Sequence, residues 1–276
     1  MTTKTNLSVD NLEDVKETLF FPLISRYVET KDENGVISDP KSVEILDSLD
    51  YDVSRTKLYI ISRMGVCLRT IIFDEEVKKF LDNNPDSVVV NLGCGLDTRF
   101  PRVDNGRVLW YELDFPDTIA LRKNFFEETD SYRFIACSAL DKSWIKEIPK
   151  GKKTLFIAEG LCFYLSEDEN KQLLRMIKDN FPGSEILMEA LHPMFVKMVD
   201  KKKYDDPLDN KASQLLIWGI KSGKELESWF DGITFIKERF VIRQDMKRFP
   251  LYLRILFTLI PVLSKSNKVM HLKFDA

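Results

Sequence analysis

Two short apolar runs between Ser87 and Pro116 limit what this chain can fold into. Val88–Leu92 leads directly into Gly93-Cys94-Gly95, and Val108–Leu113 ends in Asp114, 21 residues after Gly93. Runs this short, rich in β-branched residues and bounded by turn signals, read as strands. The two glycines lack Cβ, so the chain can turn sharply beneath a ligand. An acid at the tip of the second strand can accept hydrogen bonds from both ribose hydroxyls. Strand, glycine turn, strand and acid together make half of a nucleoside-binding site.

The remaining chain reads as an α/β sheet protein. Further strand candidates are Arg133–Cys137, Thr154–Glu159 and Glu185–Ala190. Between them lie helical patterns at Asp117–Phe126, Ser143–Ile148 and Glu167–Asn180, the last preceded by a capping box from Ser166 to Glu169. Apolar strands alternating with helices imply a parallel sheet covered on both faces, with ligands at the strands' carboxyl ends. Residues 1–85 read as mostly helix. A capping box at Asp10–Glu13 opens a first helix that Pro22 bends or ends, Asp39-Pro40 starts a second, and Ser54–Thr70 and Phe73–Leu81 follow. After Ala190, Pro193–Lys221 reads as an inserted helical segment with Leu215, Leu216 and Trp218 on its apolar face, and Lys224–Phe230 as a short helix. Ile233–Ile242 and Val269–Phe274 read as a late antiparallel pair of strands around an apolar helix near Leu251–Leu263. No Pro/Gly/Ser-rich linker divides the chain. The expectation is therefore a single domain: a helical cap over 1–85, a cofactor-binding core over 86–192, a helical lid over 193–232, and C-terminal strands with an apolar helix over 233–276.

The glycines also discriminate between cofactors. A dinucleotide fingerprint needs a third glycine where this chain has Thr98, and no G-x-x-x-x-G-K-[ST] loop is present, so a pyrophosphate site is disfavoured. S-adenosylmethionine has no phosphate; it carries a sulfonium, an ammonium and one carboxylate. Acids at the sheet edge (Asp97, Asp114, Glu159) suit its cationic part, and an arginine suits its carboxylate. Asp97 reads equally well as a helix cap paired with Arg99. Net charge is −3, with no global basic field for nucleic acid, and the densest basic run, Lys201–Lys203, reads as a solvated loop. The four cysteines form no C-x-x-C pair and read as buried reduced thiols, so no metal is expected. No signal segment or bilayer-length apolar run is visible, and a cytoplasmic location is expected.

The stretches V-V-N-L-G-C-G-L-D-T-R-F, Y-E-L-D-F-P and I-A-E-G-L-C-F-Y-L resemble the leucine carboxyl methyltransferase family, and more specifically its bacterial branch of polyketide-biosynthesis O-methyltransferases. The resemblance extends to T-L-F-F-P-L-I-S-R, to R-T-I-I-F-D at Arg69–Asp74 and, more loosely, to Trp218–Phe230. It implies a class I S-adenosylmethionine-dependent methyltransferase fold: Rossmann-like, with a mostly parallel seven-stranded sheet and late antiparallel strands. It further implies that Arg69 holds the methionine carboxylate, Gly93 and Gly95 underlie the methionyl part, and Asp114 takes the ribose. Ser138, Ala139 and Leu140 fall where the family contacts adenine, and Glu159 lies near the methionyl ammonium. The family often has Asp-Leu where Ala139-Leu140 stands, so a carboxylate to the adenine amine is missing here. Arg26 is a further candidate for the carboxylate end.

Methyl transfer is an in-line displacement for which a protein supplies orientation and exclusion of water. The expected acceptor is an oxygen of a small apolar or aromatic molecule. A carboxylate needs no general base; a hydroxyl does. His192, after the fifth strand, is the leading candidate base or else a histidine bonded within a turn. Tyr164 is a candidate for orienting the acceptor or else core, and His271 reads as structural. Met194, Phe195, Trp218, Phe249, Tyr252 and Phe257 either line the acceptor space or pack a lid to the core. The competing expectations are a catalytically silent S-adenosylmethionine-binding module with a regulatory or scaffolding role and, less favoured, a nicotinamide oxidoreductase.

Overall fold

The computed structural model describes residues 15–49, 51, 53, 56, 58–198 and 216–276 of the 276-residue chain. The expected capping box at Asp10–Glu13, the run Lys201–Lys203 and Leu215 lie outside them. Seven strands form one sheet: β1 (Val88–Leu92), β2 (Leu109–Asp114), β3 (Tyr132–Ala136), β4 (Thr154–Ala158), β5 (Glu185–Leu191), β6 (Ile233–Phe240) and β7 (Asn267–Phe274). Their order is β3-β2-β1-β4-β5-β7-β6. Strands β1 to β5 pair in parallel, β7 pairs antiparallel with β5, and β6 antiparallel with β7. Thus β7 alone runs against the sheet, and it begins at the edge where β1, β2, β4 and β5 end.

Side-chain alternation divides the core into two layers. Val89, Trp110, Leu155, Leu187 and Val269 face one side, under α1 (Val15–Lys31), α2 (Pro40–Ser48) and α3 (Ile60–Asn83). Val88, Val90, Phe156, Met188 and Met270 face the other, where α6 (Glu167–Asn180) packs through Leu173, Leu174 and Ile177. The remaining helices are short: α4 (Phe100–Val103), α5 (Pro116–Arg122), α7 (Pro193–Met198), α8 (Val241–Gln244), α9 (Leu251–Leu259) and α10 (Pro261–Ser264). α6 starts with the expected reciprocal cap: Ser166 Oγ accepts from Glu169 N–H, and the Glu169 carboxylate accepts from Ser166 N–H.

Several local expectations are corrected. Of the two outcomes expected at Pro22, ending the helix is overturned: α1 continues to Lys31. The missing hydrogen bond costs about 3 kcal/mol, but Leu23 and Ile24 are fully buried just past it, and their packing holds the helix. The two helices expected over Ser54–Thr70 and Phe73–Leu81 are one, α3, because Ile72 and Phe73 are buried on a continuous turn with no breaker. The β6 strand stops at Phe240 rather than Ile242, and Pro261 divides the expected apolar helix into α9 and α10. The segment expected as a helix over Pro193–Lys221 is helical only through Met198 before the undescribed residues. Beyond them, residues 216–220 are in neither helix nor strand: Ile217 N–H donates to Phe163 O in the 3-10 turn after β4, and Ile220 N–H to Leu191 O at the end of β5. The 224–230 helix is instead a 3-10 turn over Gly223–Ser228.

Candidate functional site

The carboxyl edge of the sheet carries an ion-pair network built from strand ends and the turns after them. After β1 the chain turns through Gly93 (φ +64°) and Gly95 (φ +49°). A Cβ on Gly93 would come within 3.1 Å of Leu161 in a backbone region that L-residues avoid. Asp97 and Arg99 follow. The fully buried Arg99 guanidinium donates through Nε to Asp74 on α3 (2.8 Å), through one terminal nitrogen to Asp97 (2.6 Å) and through the other to Glu159 after β4. Arg69 on α3 donates through Nε to Glu159 (2.9 Å) and pairs with Glu189 on β5 (3.0 Å). Glu189 has no exposed surface and also accepts from Gly160 N–H and Asn267 Nδ2, at 2.9 and 2.7 Å. On the other flank Arg26 of α1 meets Asp39 at 2.7 Å, Arg102 bridges Asp39 and Asp74, and Asp39 also caps α2. Asn91 of β1 donates to both Asp97 and Glu112.

This network sets the charge states. Burial opposes ionisation of Asp97, but Arg99 and Arg102 outweigh it and hold the carboxyl at about 2. Burial likewise acts against Glu159 and is overcome by Arg99 and Arg69, leaving that carboxyl below its ordinary range. Among the described residues, the ion-paired set at this edge joins four arginines (Arg26, Arg69, Arg99, Arg102) to five acids (Asp39, Asp74, Asp97, Glu159, Glu189), a net charge of −1. A site with one uncompensated negative charge in low dielectric favours a ligand with a net positive charge.

Above the network lies a cavity of about 670 Å³, within the size range of small-molecule and cofactor sites. Its floor is polar: Arg69, Asn91, Asp97, Glu159, Glu189 and Asn267. Much of the remaining lining is an apolar wall, from Phe21 on α1, Val66 on α3, Phe163, Phe195 on α7, Leu216 and Ile242 on α8. Tyr59 and Ile61 are part of its lining and half exposed. Tyr164 reaches the same space, and burial pushes its hydroxyl up to about 12, so it stays protonated at neutral pH.

The sequence profile of the leucine carboxyl methyltransferase family matches residues 24–178, more than half of the chain. The tetracenomycin polyketide synthesis O-methyltransferase TcmP of Streptomyces glaucescens is 33% identical over 225 residues, 81% of this chain and 82% of that one. This chain belongs to the leucine carboxyl methyltransferase family. It is therefore a methyltransferase that depends on S-adenosylmethionine. A second relative, the S-adenosyl-L-methionine-dependent methyltransferase dpfgK of Gibberella zeae, is 28% identical and aligns over 87% of each chain. The fold matches a DUF574 family protein from Streptomyces avermitilis at a TM-score of 0.59 and 11% identity, covering 92% of this chain and 97% of that one. Magnesium protoporphyrin IX methyltransferase of Synechocystis matches at 0.50 and 9% identity, covering 80% and 90%.

For this family member, the expected site residues separate into three groups. Arg69, Gly93, Gly95, Glu159 and Tyr164 line the cavity together with Arg26 and Asp97. Asp97 pairs with Arg99 as expected and accepts from Arg99 N–H at 3.0 Å, but it does not cap α4, whose N-cap position is Arg99 itself. Asp114 lies beside the cavity, at the tip of β2. Its carboxylate accepts from Gly95 N–H (2.8 Å) and Phe115 N–H (2.7 Å), while burial raises its affinity for a proton. Ser138, Ala139 and Leu140 form the turn after β3; Ser138 Oγ accepts from Leu140 N–H, and Ala139 O from the Trp144 indole. They do not line the cavity. His192 is not part of the lining either: Nδ1 accepts from Met194 N–H at 3.2 Å, the turn arrangement weighed for it. Burial, then the charges of Lys268 and Lys221, lower its pKa. His271 is bonded to Glu185 across the sheet at 2.7 Å. Of the six aromatic and methionine residues weighed for the acceptor space, Phe195 alone lines the cavity. Trp218, Phe249 and Phe257 are buried in the core, and Tyr252 and Met194 face outward.

Glu189, Asn267, Asn91, Arg99, Arg102, Asp39 and Asp74 were not singled out as site residues. One signal was available for Glu189: a carboxylate inside the apolar run E-I-L-M-E-A-L must be paired if that strand is central. Asp39 is legible only as a helix cap; its pairing with Arg26 and Arg102, and that of Asp74 with Arg99 and Arg102, reach other elements and leave no local trace. The residues present fit the donor. The glycine turn leaves backbone room where a Cβ would collide, the acid-rich floor suits a sulfonium and an ammonium, and Asn267 Oδ1 is buried with no hydrogen-bond partner.

Proposed function

We propose that the chain transfers a methyl group from S-adenosylmethionine to an oxygen of a small apolar or aromatic acid. The observation that carries this reading is the two-sided cavity, charged over the strand ends and apolar under the helices. When bound, the donor supplies a methyl group on a positively charged sulfur, already activated for displacement. In this reading the chain's own residues bind and orient. Gly93 and Gly95 form the floor beneath the methionyl part. Arg69 meets the donor carboxylate, exchanging one of its present carboxylate partners. Glu159 and Asp97 face the ammonium, Asp114 takes the ribose, and Ser138, Ala139 and Leu140 flank the adenine. The apolar wall holds the acceptor and excludes water.

Among the described residues lining the cavity there is no histidine, and Tyr164 holds its proton. Glu159 and Glu189 are already committed to arginines. A hydroxyl acceptor would therefore lack an evident base, whereas a carboxylate acceptor arrives ionised. This favours carboxylate methylation. The test combines titration calorimetry with a transfer screen. S-adenosylhomocysteine should bind and NAD should not, and aromatic or long-chain carboxylic acids should be methylated in preference to matched phenols. Binding without turnover on either class would favour a silent cofactor-binding module. Turnover on phenols alone would reject the carboxylate assignment.

A further inference from the structure

The connection between β6 and β7 carries a surface that methyl transfer does not use. α9 buries one side only, through Leu253 and Phe257, which pack into the layer formed with α1 and α3. Its opposite side is apolar as well. Leu251, Ile255 and Leu259 follow one another at four-residue spacing and are 67%, 51% and 74% exposed; Tyr252 (67%) and Leu256 (38%) stand beside them. At about 100° per residue these five share one arc, turned away from the buried pair. Single exposed leucines are ordinary on a soluble protein, but a contiguous apolar face on one ordered helix is not.

The charge around this face points to one kind of partner. Residues 243–265 contain Arg243, Lys247, Arg248, Arg254 and Lys265 against one acid, Asp245, a local net charge of +4 on a chain whose total is −3. Asp245 pairs with Arg248 at 3.4 Å, and Lys247, Arg254 and Lys265 are exposed. We propose that α9 is an interfacial helix that docks the protein on an anionic lipid bilayer. Its aliphatic and tyrosine face enters the boundary between headgroups and acyl chains, and the basic residues meet the lipid phosphates. A second copy of this chain seated on the same face would bring two basic rims together, which is unfavourable. The helix is already folded on its scaffold, so docking pays little of the ordering entropy that a free peptide of this length would face. The same connection supplies Val241 and Ile242 to the cavity lining, which links the docked helix to the acceptor space.

The test is flotation of the full chain with vesicles of phosphatidylcholine containing phosphatidylglycerol, compared with phosphatidylcholine alone. The expected result is binding to the anionic vesicles that falls several-fold on neutral vesicles and in high salt. The double substitution Ile255→Glu with Leu259→Glu should lower partitioning by about tenfold or more. S-adenosylhomocysteine affinity and circular dichroism should be unchanged, since both side chains are exposed. Arg254→Glu should weaken binding less and flatten its salt dependence. Failure of the folded wild-type chain to float with anionic vesicles at low salt would overturn the proposal. So would a wild-type dimer in sedimentation equilibrium that the double variant converts to monomer with flotation unaltered, which would make the face a contact between copies.

Discussion

The two halves of the cavity are built in opposite ways. The charged floor consists of side chains on strand ends, tight turns and α3, held by directional partners, as Glu189 is by Arg69, Gly160 N–H and Asn267. The apolar wall draws on α1, α3, α7, α8, Phe163 and Leu216, whose apolar side chains make no directional bonds of their own. Directional networks tolerate little change, because removing one member leaves the others charged and dry. Apolar walls tolerate substitution of similar volume. A floor that varies little beneath a wall that varies freely suits an enzyme that keeps its donor and changes its acceptor.

The difference can be broken most severely at Arg99. Arg99→Met should cost about 3–5 kcal/mol of stability, because three acids lose their shared partner. Urea unfolding measures this, and a loss below about 1 kcal/mol would mean that the network is not held as described. Next in size is the acid limb of stability. The Asp97 carboxyl is depressed, so its contribution is full above the unfolded value near 4 and is lost as pH falls toward about 2. At about 1.4 kcal/mol per pKa unit this is worth roughly 2 kcal/mol. Asp97→Asn should flatten the stability curve over that window; an unchanged slope would assign the acid limb elsewhere. Glu189→Gln removes one charged partner of Arg69 and should weaken S-adenosylhomocysteine binding about tenfold with the fold intact, by calorimetry. On the wall, Ile61→Asp should raise the acceptor KM by roughly fivefold and leave donor affinity alone. The smallest effect is expected from His192→Ala, which should keep donor binding and carboxylate turnover within about twofold. A collapse of turnover with binding retained would restore the histidine as a base and point to a hydroxyl acceptor.

These unequal constraints also decide what could be read in the chain. The strand–glycine–strand–acid pattern is local, and β1, β2, β4 and β5 fall within about a residue or two of their expected limits because short β-branched runs between turn residues have few alternatives. Arg69, Gly93 and Glu159 were identified through motif resemblance, and they do meet at one edge. Glu189 and Asn267 escaped because their significance depends on β7 lying next to β5, a pairing between residues 78 apart. Residues 216–220 depart from the helix expected over 193–221 for a related reason. The apolar residues there suit a helical spacing, but Trp218 and Ile220 are buried, with their amides bonded to Phe163 O and Leu191 O, and tertiary contacts override local preference. The wall was the least legible part, since an aromatic in a helix looks the same whether it faces a core or a cavity.

The reversed direction of β7 has a temporal side. β1, β4 and β5 place their cavity-lining residues at or near the ends where they leave the sheet; β7 delivers Asn267 on entering it, and Asn267 holds Glu189, which in turn holds Arg69. As the chain emerges from the ribosome, Arg69 and Glu159 are made long before this clasp arrives. The charged side of the cavity therefore reaches its final shape only when the last strand threads between β5 and β6. A chain interrupted before residue 267 would carry every recognisable motif and still lack the anchor that holds Glu189.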